Sequence, residues 1–92
     1  MLTIRVTKIA EKQLRKVPAH IATKFEYWCD LIQSVGLREV RKYKGYHDEP
    51  LQGDRFGQRS VRLSKAYRAI YKVLDSGNLE LLEVLEVNKH DY

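Results

Sequence analysis

Between Gln58 and Lys72 the chain reads QRSVRLSKAYRAIYK, and two runs of strict alternation leave little freedom over what this stretch can fold into. Val61 and Leu63, then Tyr67, Ala69, Tyr71 and Val73, fall at odd positions, whereas Arg62, Ser64, Arg68 and Lys72 fall at even ones. Successive side chains of a strand point to opposite faces, so the pattern predicts a strand hairpin over 58–74 with one apolar and one basic face. No acidic residue stands between Asp54 and Asp75, while Arg55, Arg59, Arg62, Lys65, Arg68 and Lys72 all do. A row of one sign on one face predicts that the even positions meet an anion.

An apolar sheet face needs a cover, and the N-terminal half supplies one. Thr3 to Thr7 alternate as a short strand, and Thr7 is placed to cap a helix over Lys8–Val17. There Ala10, Leu14 and Val17 lie opposite Lys8, Lys12, Arg15 and Lys16. Pro18 ends this helix and is tolerated at the start of another, whose stripe of Ile21, Phe25, Trp28, Ile32 and Val35 runs to a natural stop at Gly36. Phe25 and Trp28 therefore read as core. Leu37–Lys44 is either one more short helix or an irregular basic segment. Gly45–Gly57 reads as a loop that mixes turn formers with His47, Asp48, Glu49 and Asp54.

Asp75-Ser76-Gly77-Asn78 is a turn signal, followed by a last strand in which Leu79, Leu81, Leu85 and Val87 continue the inward odd pattern. Leu82 and Val84 would add apolar surface on the other face, making this strand an interior one. The predicted fold is α+β in the order β-α-α-β-β-β: a small twisted antiparallel sheet with an N-terminal helical hairpin on one face. The opposite face would carry Arg62, Arg68, Lys72, Glu86 and His90.

At 92 residues the chain has room for one modest core, so a single domain over 1–92 is expected. Its formal charge of +5 favours acidic partners such as nucleic acid, ribosomes or an acidic protein. No apolar run reaches the roughly 18 residues of a membrane span and the N-terminus lacks a signal-peptide centre, so the expected compartment is the cytoplasm and no membrane partner is expected. The lone Cys29 sits in the apolar stripe as buried filler. Absent CxxC, HExxH, GxxxxGK, GxSxG and dinucleotide-binding patterns argue against metal or nucleotide chemistry, and no cofactor is expected.

What remains is a set of arginines, a carboxylate-bearing loop, and a histidine and tyrosine at the C-terminus, which suits metal-free cleavage of RNA. A base removes the 2′-hydroxyl proton, cations stabilise the crowded phosphate, and an acid protonates the departing 5′-oxygen. Arginine grips phosphate with two donors, and imidazole serves as acid or base near neutrality. The segments EPLQG, SVRLSKAYRAIYKV and VLEVNKHDY resemble the RelE/YoeB/HigB group of toxins from bacterial type II toxin–antitoxin systems, over about the last half of the chain. The β-α-α-β-β-β order extends the likeness to the whole.

That resemblance implies a toxin that cuts mRNA in the 30S A site of the ribosome, leaving 2′,3′-cyclic phosphate and 5′-hydroxyl ends. It also implies a cognate antitoxin, a small DNA-binding protein. Carried over position by position, Arg68 matches the arginine that stabilises the scissile phosphate, and Arg62 matches a second phosphate contact, with Arg55, Arg59, Lys65 and Lys72 as further RNA-binding candidates. Glu49 resembles the general base of YoeB-like members, where HigB-like members place histidine, and His90 and Tyr92 resemble the residues used for acid catalysis and nucleotide stacking. Ser60 stands where RelE-like members carry a catalytic lysine, Gln52 replaces a loop lysine, and the end reads HDY where YoeB-like chains read HY. Base and acid thus remain open among Glu49, Glu86, His47, His90 and Asp91. Tyr67 and Tyr71 read as core. Two rival readings share the fold: a ParE-like inhibitor of DNA gyrase without nuclease activity, and an inactive module that only binds an antitoxin.

Overall fold

The computed structural model describes residues 2–76 and 79–89. These form β1 (Leu2–Val6), α1 (Lys8–Lys16), α2 (Ala19–Val35), the short α3 (Leu37–Val40), β2 (Glu49–Pro50), β3 (Arg59–Arg62), β4 (Tyr67–Ser76) and β5 (Leu79–Lys89). The described strands make one sheet in the order β1-β5-β4-β3-β2. The architecture is α+β, with the helices over one sheet face as the alternation requires. One expectation is corrected: the sheet is mixed, because β1 pairs with β5 in parallel while the other pairs are antiparallel. A parallel pair needs a long connection, and here it takes in the helices and β2 to β4 together.

Thr7 caps α1 as its sequence predicts. Its Oγ1 accepts from the Ala10 N–H at 3.1 Å and donates to the Leu85 carbonyl at 3.1 Å, so one hydroxyl fastens the helix start to the sheet. Beyond Val84, β5 has outrun β1, and α1 serves its open edge instead. The Thr7 N–H bonds the Val84 carbonyl at 3.1 Å, and the Val87 N–H bonds Gln13 Oε1 at 2.7 Å. A side-chain amide thereby satisfies a ladder donor that would otherwise have no strand opposite it.

Helix α2 buries Ile21, Phe25, Trp28 and Ile32 against Val61, Ala69, Tyr71, Leu82, Val84 and Val87. The Trp28 ring meets Tyr71 with centroids 5.3 Å apart and Phe25 at 6.0 Å, so both aromatics of α2 belong to the core. Val35, the last residue of the predicted stripe, is instead exposed where the helix overruns the sheet. Gly36 follows at φ 88°, a conformation closed to most side chains, and lets the chain turn directly into α3. Among the described residues no helix is long and apolar enough to cross a membrane.

The inward pattern predicted for β5 holds only at its far end. Ile70 lies opposite Glu86 but Tyr71 lies opposite Val84, which leaves Leu85 as the extra residue of a β-bulge. The bulge inverts the parity of β5. Before it, Leu82 and Val84 face the helices and are fully buried; after it, Val87 does. Leu81 and Glu83 consequently turn to the other face, where Glu83 binds Arg5 at 2.7 Å and Lys72 at 3.6 Å.

Candidate active site

Arg62 and Arg68 end β3 and begin β4 directly opposite each other. Like charges so placed repel, and among the described residues neither guanidinium makes a hydrogen bond or a close ion pair, Glu86 attracting Arg68 only at longer range. The Arg68 Nε is buried without an acceptor. The connection between the strands is short and fastened. Leu63 N–H and Ser64 N–H both reach the Tyr67 carbonyl, at 2.9 and 3.1 Å, while Ser64 Oγ accepts from the Ala66 and Tyr67 N–H groups at 3.2 Å each. The two guanidiniums are therefore held together by the fold in spite of their charge.

The segment expected to be plain loop contains β2, and that small strand decides where the carboxylate goes. Glu49 pairs with Ser60 and Pro50 with Arg59 on the outer edge of the sheet, where proline's missing N–H costs no ladder bond. Pairing with Ser60 puts Glu49 on the even, cationic face, diagonal to Arg62. Diagonals of this kind separate Cβ atoms by less than roughly 7–8 Å, room for a small anion between carboxylate and guanidinium. His47, two residues earlier, shares that side and holds a left-handed backbone, φ 43° and ψ 52°. Such strain in a non-glycine residue is a frequent mark of a functional position.

These groups line one open pocket of about 110 Å³, whose wall comprises His47, Glu49, Ser60, Arg62, Ser64, Lys65, Tyr67 and Arg68. That volume lies below the roughly 300 Å³ at which pockets for larger organic ligands begin, and suits one phosphate with an adjoining hydroxyl. Ser60 and Ser64, which sequence reasoning did not single out as site residues, contribute hydroxyls. Tyr67, read as core, is half-buried: it packs against the core and also reaches this wall.

The other expected phosphate ligands are placed elsewhere, each against an internal acid. Arg59 Nε donates to Asp48 Oδ1 at 2.5 Å, because the odd parity of Arg59 turns it to the helix side. Arg55 binds Glu86 and, at 2.9 Å, Gln58. Lys72 binds Glu83. Arg55, Arg59 and Lys72 are thus each paired with an acid, apart from the pocket that Arg62 and Arg68 line. Glu86 is held below its ordinary carboxylate value, chiefly by the hydrogen bond from Asn88, with Arg55 and Arg68 adding to it against burial; a carboxylate so stabilised is a poor base. His90, Asp91 and Tyr92 lie outside the described residues.

Sequence reasoning missed Asp48. Its side chain is 1% exposed, and it takes a 2.6 Å bond from the Tyr71 hydroxyl besides that from Arg59. The signal was present: an arginine at an inward odd position needs a buried acid, and Asp48 lies between the two loop residues that face the other way.

No family model matches the chain, and no curated protein matches its sequence. Solved structures do. A YoeB/ParE toxin from Agrobacterium tumefaciens is 25% identical at a TM-score of 0.69, covering 97% of this chain and 99% of its own. YafQ from Escherichia coli strain BL21(DE3) superposes at 0.77 with 21% identity, over 98% of this chain and 94% of that one. The RelBE2 toxin–antitoxin complex from Mycobacterium tuberculosis matches at 0.61 with 23% identity and 96% coverage of both chains.

Proposed function

We propose that this chain, which has the fold of the RelE/YoeB-type toxins, is the toxin of a type II toxin–antitoxin system and cleaves mRNA on the ribosome without a metal ion. The observation that carries the reading is the convergence of Glu49 and His47 with the opposed Arg62 and Arg68 in one phosphate-sized pocket. An inhibitor acting by binding alone, as in the gyrase reading, has no use for a carboxylate and an imidazole aimed at the same anion.

Arg62 and Arg68 grip the scissile phosphate and stabilise the charge that grows on it as the fifth oxygen adds. Glu49, across the pocket, takes the 2′-hydroxyl proton, and that oxygen attacks phosphorus to form the 2′,3′-cyclic phosphate. The bond to the 5′-oxygen breaks as that oxygen receives a proton, a role open to His47 within the pocket and to His90 in the C-terminal segment. Tyr67 gives a surface on which a base can stack, a role the family resemblance also gives to Tyr92. A cationic pocket at a sheet edge also suits inhibition by an antitoxin carrying an acidic segment, and the resemblance to the RelBE2 toxin–antitoxin complex supports such a partner.

Programmed ribosomes incubated with the protein test the reading. The message is expected to be cut, with cyclic phosphate and 5′-hydroxyl ends. Arg68→Ala is expected to slow cleavage about 10²–10³-fold, the loss of one transition-state donor. Glu49→Gln is expected to slow it about 10²–10⁴-fold with the fold intact. Uncut message at stoichiometric protein sinks the nuclease reading.

A further inference from the structure

The buried Asp48 has no access to a substrate, yet it lies between the two residues that line the pocket from the outer edge. Alternation sends His47 and Glu49 to the cationic face and Asp48 through to the helix side. There Oδ1 accepts from Arg59 at 2.5 Å and Oδ2 from the Tyr71 hydroxyl at 2.6 Å, while the Asp48 carbonyl takes a second Arg59 bond at 3.3 Å. The Tyr71 oxygen in turn accepts from Arg41 Nε at 3.2 Å, and the Tyr71 ring is fully buried against Trp28. The chain Arg41–Tyr71–Asp48–Arg59 thus ties the end of α3, the centre of β4 and the start of β3 to one residue of the edge segment.

Outside this network the segment is fastened at Tyr46, which is buried in the core, and by the Leu51 N–H on the Gln58 carbonyl at 2.9 Å. β2 is two residues long, one of them a proline, and the residue before Asp48 is in a left-handed backbone conformation. A two-residue edge strand is weak on its own, and a carboxylate with both oxygens bonded by immobile donors is a far stronger fastening.

We propose that Asp48 is a positioning residue, which, through Arg59 and Tyr71, fixes His47 and Glu49 at the distance from Arg62 and Arg68 that the reaction needs. This rests on the nuclease reading for its catalytic consequence, though not for its structural one. Burial raises the Tyr71 hydroxyl well above the ordinary tyrosine value, and the bond to Asp48 adds to that, so the phenol keeps its proton and remains a donor to Asp48 throughout the working pH range.

Two variants keep the core filled. Tyr71→Phe retains the ring against Trp28 and removes one donor; Asp48→Asn retains the shape and weakens both bonds. Each is expected to remain folded, to bind programmed ribosomes with KM within about twofold of wild type, and to lose about 10–100-fold in kcat, the order expected from misplacing a reacting group by about 1 Å. Asp48→Ala is expected to be worse than Asp48→Asn. Hydrogen exchange provides a readout independent of cleavage: the amides of His47, Asp48, Glu49 and Leu51 should exchange faster in both variants while those of β4 and β5 keep their protection. Unchanged exchange at 47–51, or unchanged kcat beside an active wild type, overturns the proposal, as does a kcat loss that only tracks the unfolded fraction. If wild type leaves the message uncut while exchange at 47–51 accelerates in both variants, the nuclease reading has failed and the fastening role of Asp48 stands.

Discussion

Arg62 and Arg68 face one another across two strands with no acid between them, and the consequence for stability is opposite to that for function. An opposed like-charged pair destabilises a sheet by about 0.2–1 kcal/mol relative to a neutral pair. Arg62→Gln is therefore expected to raise the unfolding free energy by that order while lowering cleavage, and urea denaturation beside a cleavage assay measures both. A loss of stability would mean that the pair is not repelling and that its anion preference has been misread. Glu86 makes a contrasting case. Its folded-state pKa is depressed, chiefly by Asn88 and then Arg55, so it contributes stability above its unfolded value near 4.5, and that contribution disappears as pH falls through the lower folded value. Glu86→Gln should accordingly lower Tm at neutral pH, and the gap from wild type should close as the medium is acidified below 4.5.

Strand alternation made most of the molecule readable at the scale of elements. The parity of Val61, Leu63, Ala69 and Tyr71 predicted their burial, and the α2 stripe predicted which residues meet them, because a period of two or 3.6 is written directly in residue spacing. Two elements escaped for physical reasons. β2 is too short to show a period, so Glu49 read as loop even though its pairing with Ser60 fixes its face. The bulge at Leu85 has no signature in a run as uniformly apolar as LELLEVLEV, where either parity offers leucines or valines to the core. Without that extra residue Val84 and Glu86 become neighbours opposite Tyr71 and Ile70, so deleting Leu85 should leave a regular ladder with Leu82, Val84 and Val87 inward and Glu83 and Glu86 still outward. The expected outcome is a folded domain for the deletion variant as for Leu85→Ala, with the deletion the less stable because the Thr7 and Gln13 bonds to β5 must re-register; circular dichroism and thermal melts of the two check it. A deletion variant that fails to fold would show that the bulge itself is required.

At the scale of the whole molecule, the acids divide the cations into two groups. Asp48, Glu83 and Glu86 bind Arg59, Arg5 with Lys72, and Arg55, whereas Arg62 and Arg68 are left facing the pocket. The net charge of +5 is therefore a poor guide to where an RNA backbone would bind, and counterion release resolves the difference. Each phosphate neutralised on a single strand contributes about −0.7 to the slope of log affinity against log salt. Fluorescence anisotropy with a short RNA, repeated across a salt series, should show Arg62→Ala and Arg68→Ala each reducing the slope by about 0.7. Lys72→Ala should leave it nearly unchanged, because Glu83 already counters that charge and a released Glu83 keeps Arg5. If all three substitutions reduce the slope alike, RNA reads the protein as a diffuse basic surface. If only the opposed arginines do, the phosphate sits where the sheet has placed two cations against their own repulsion.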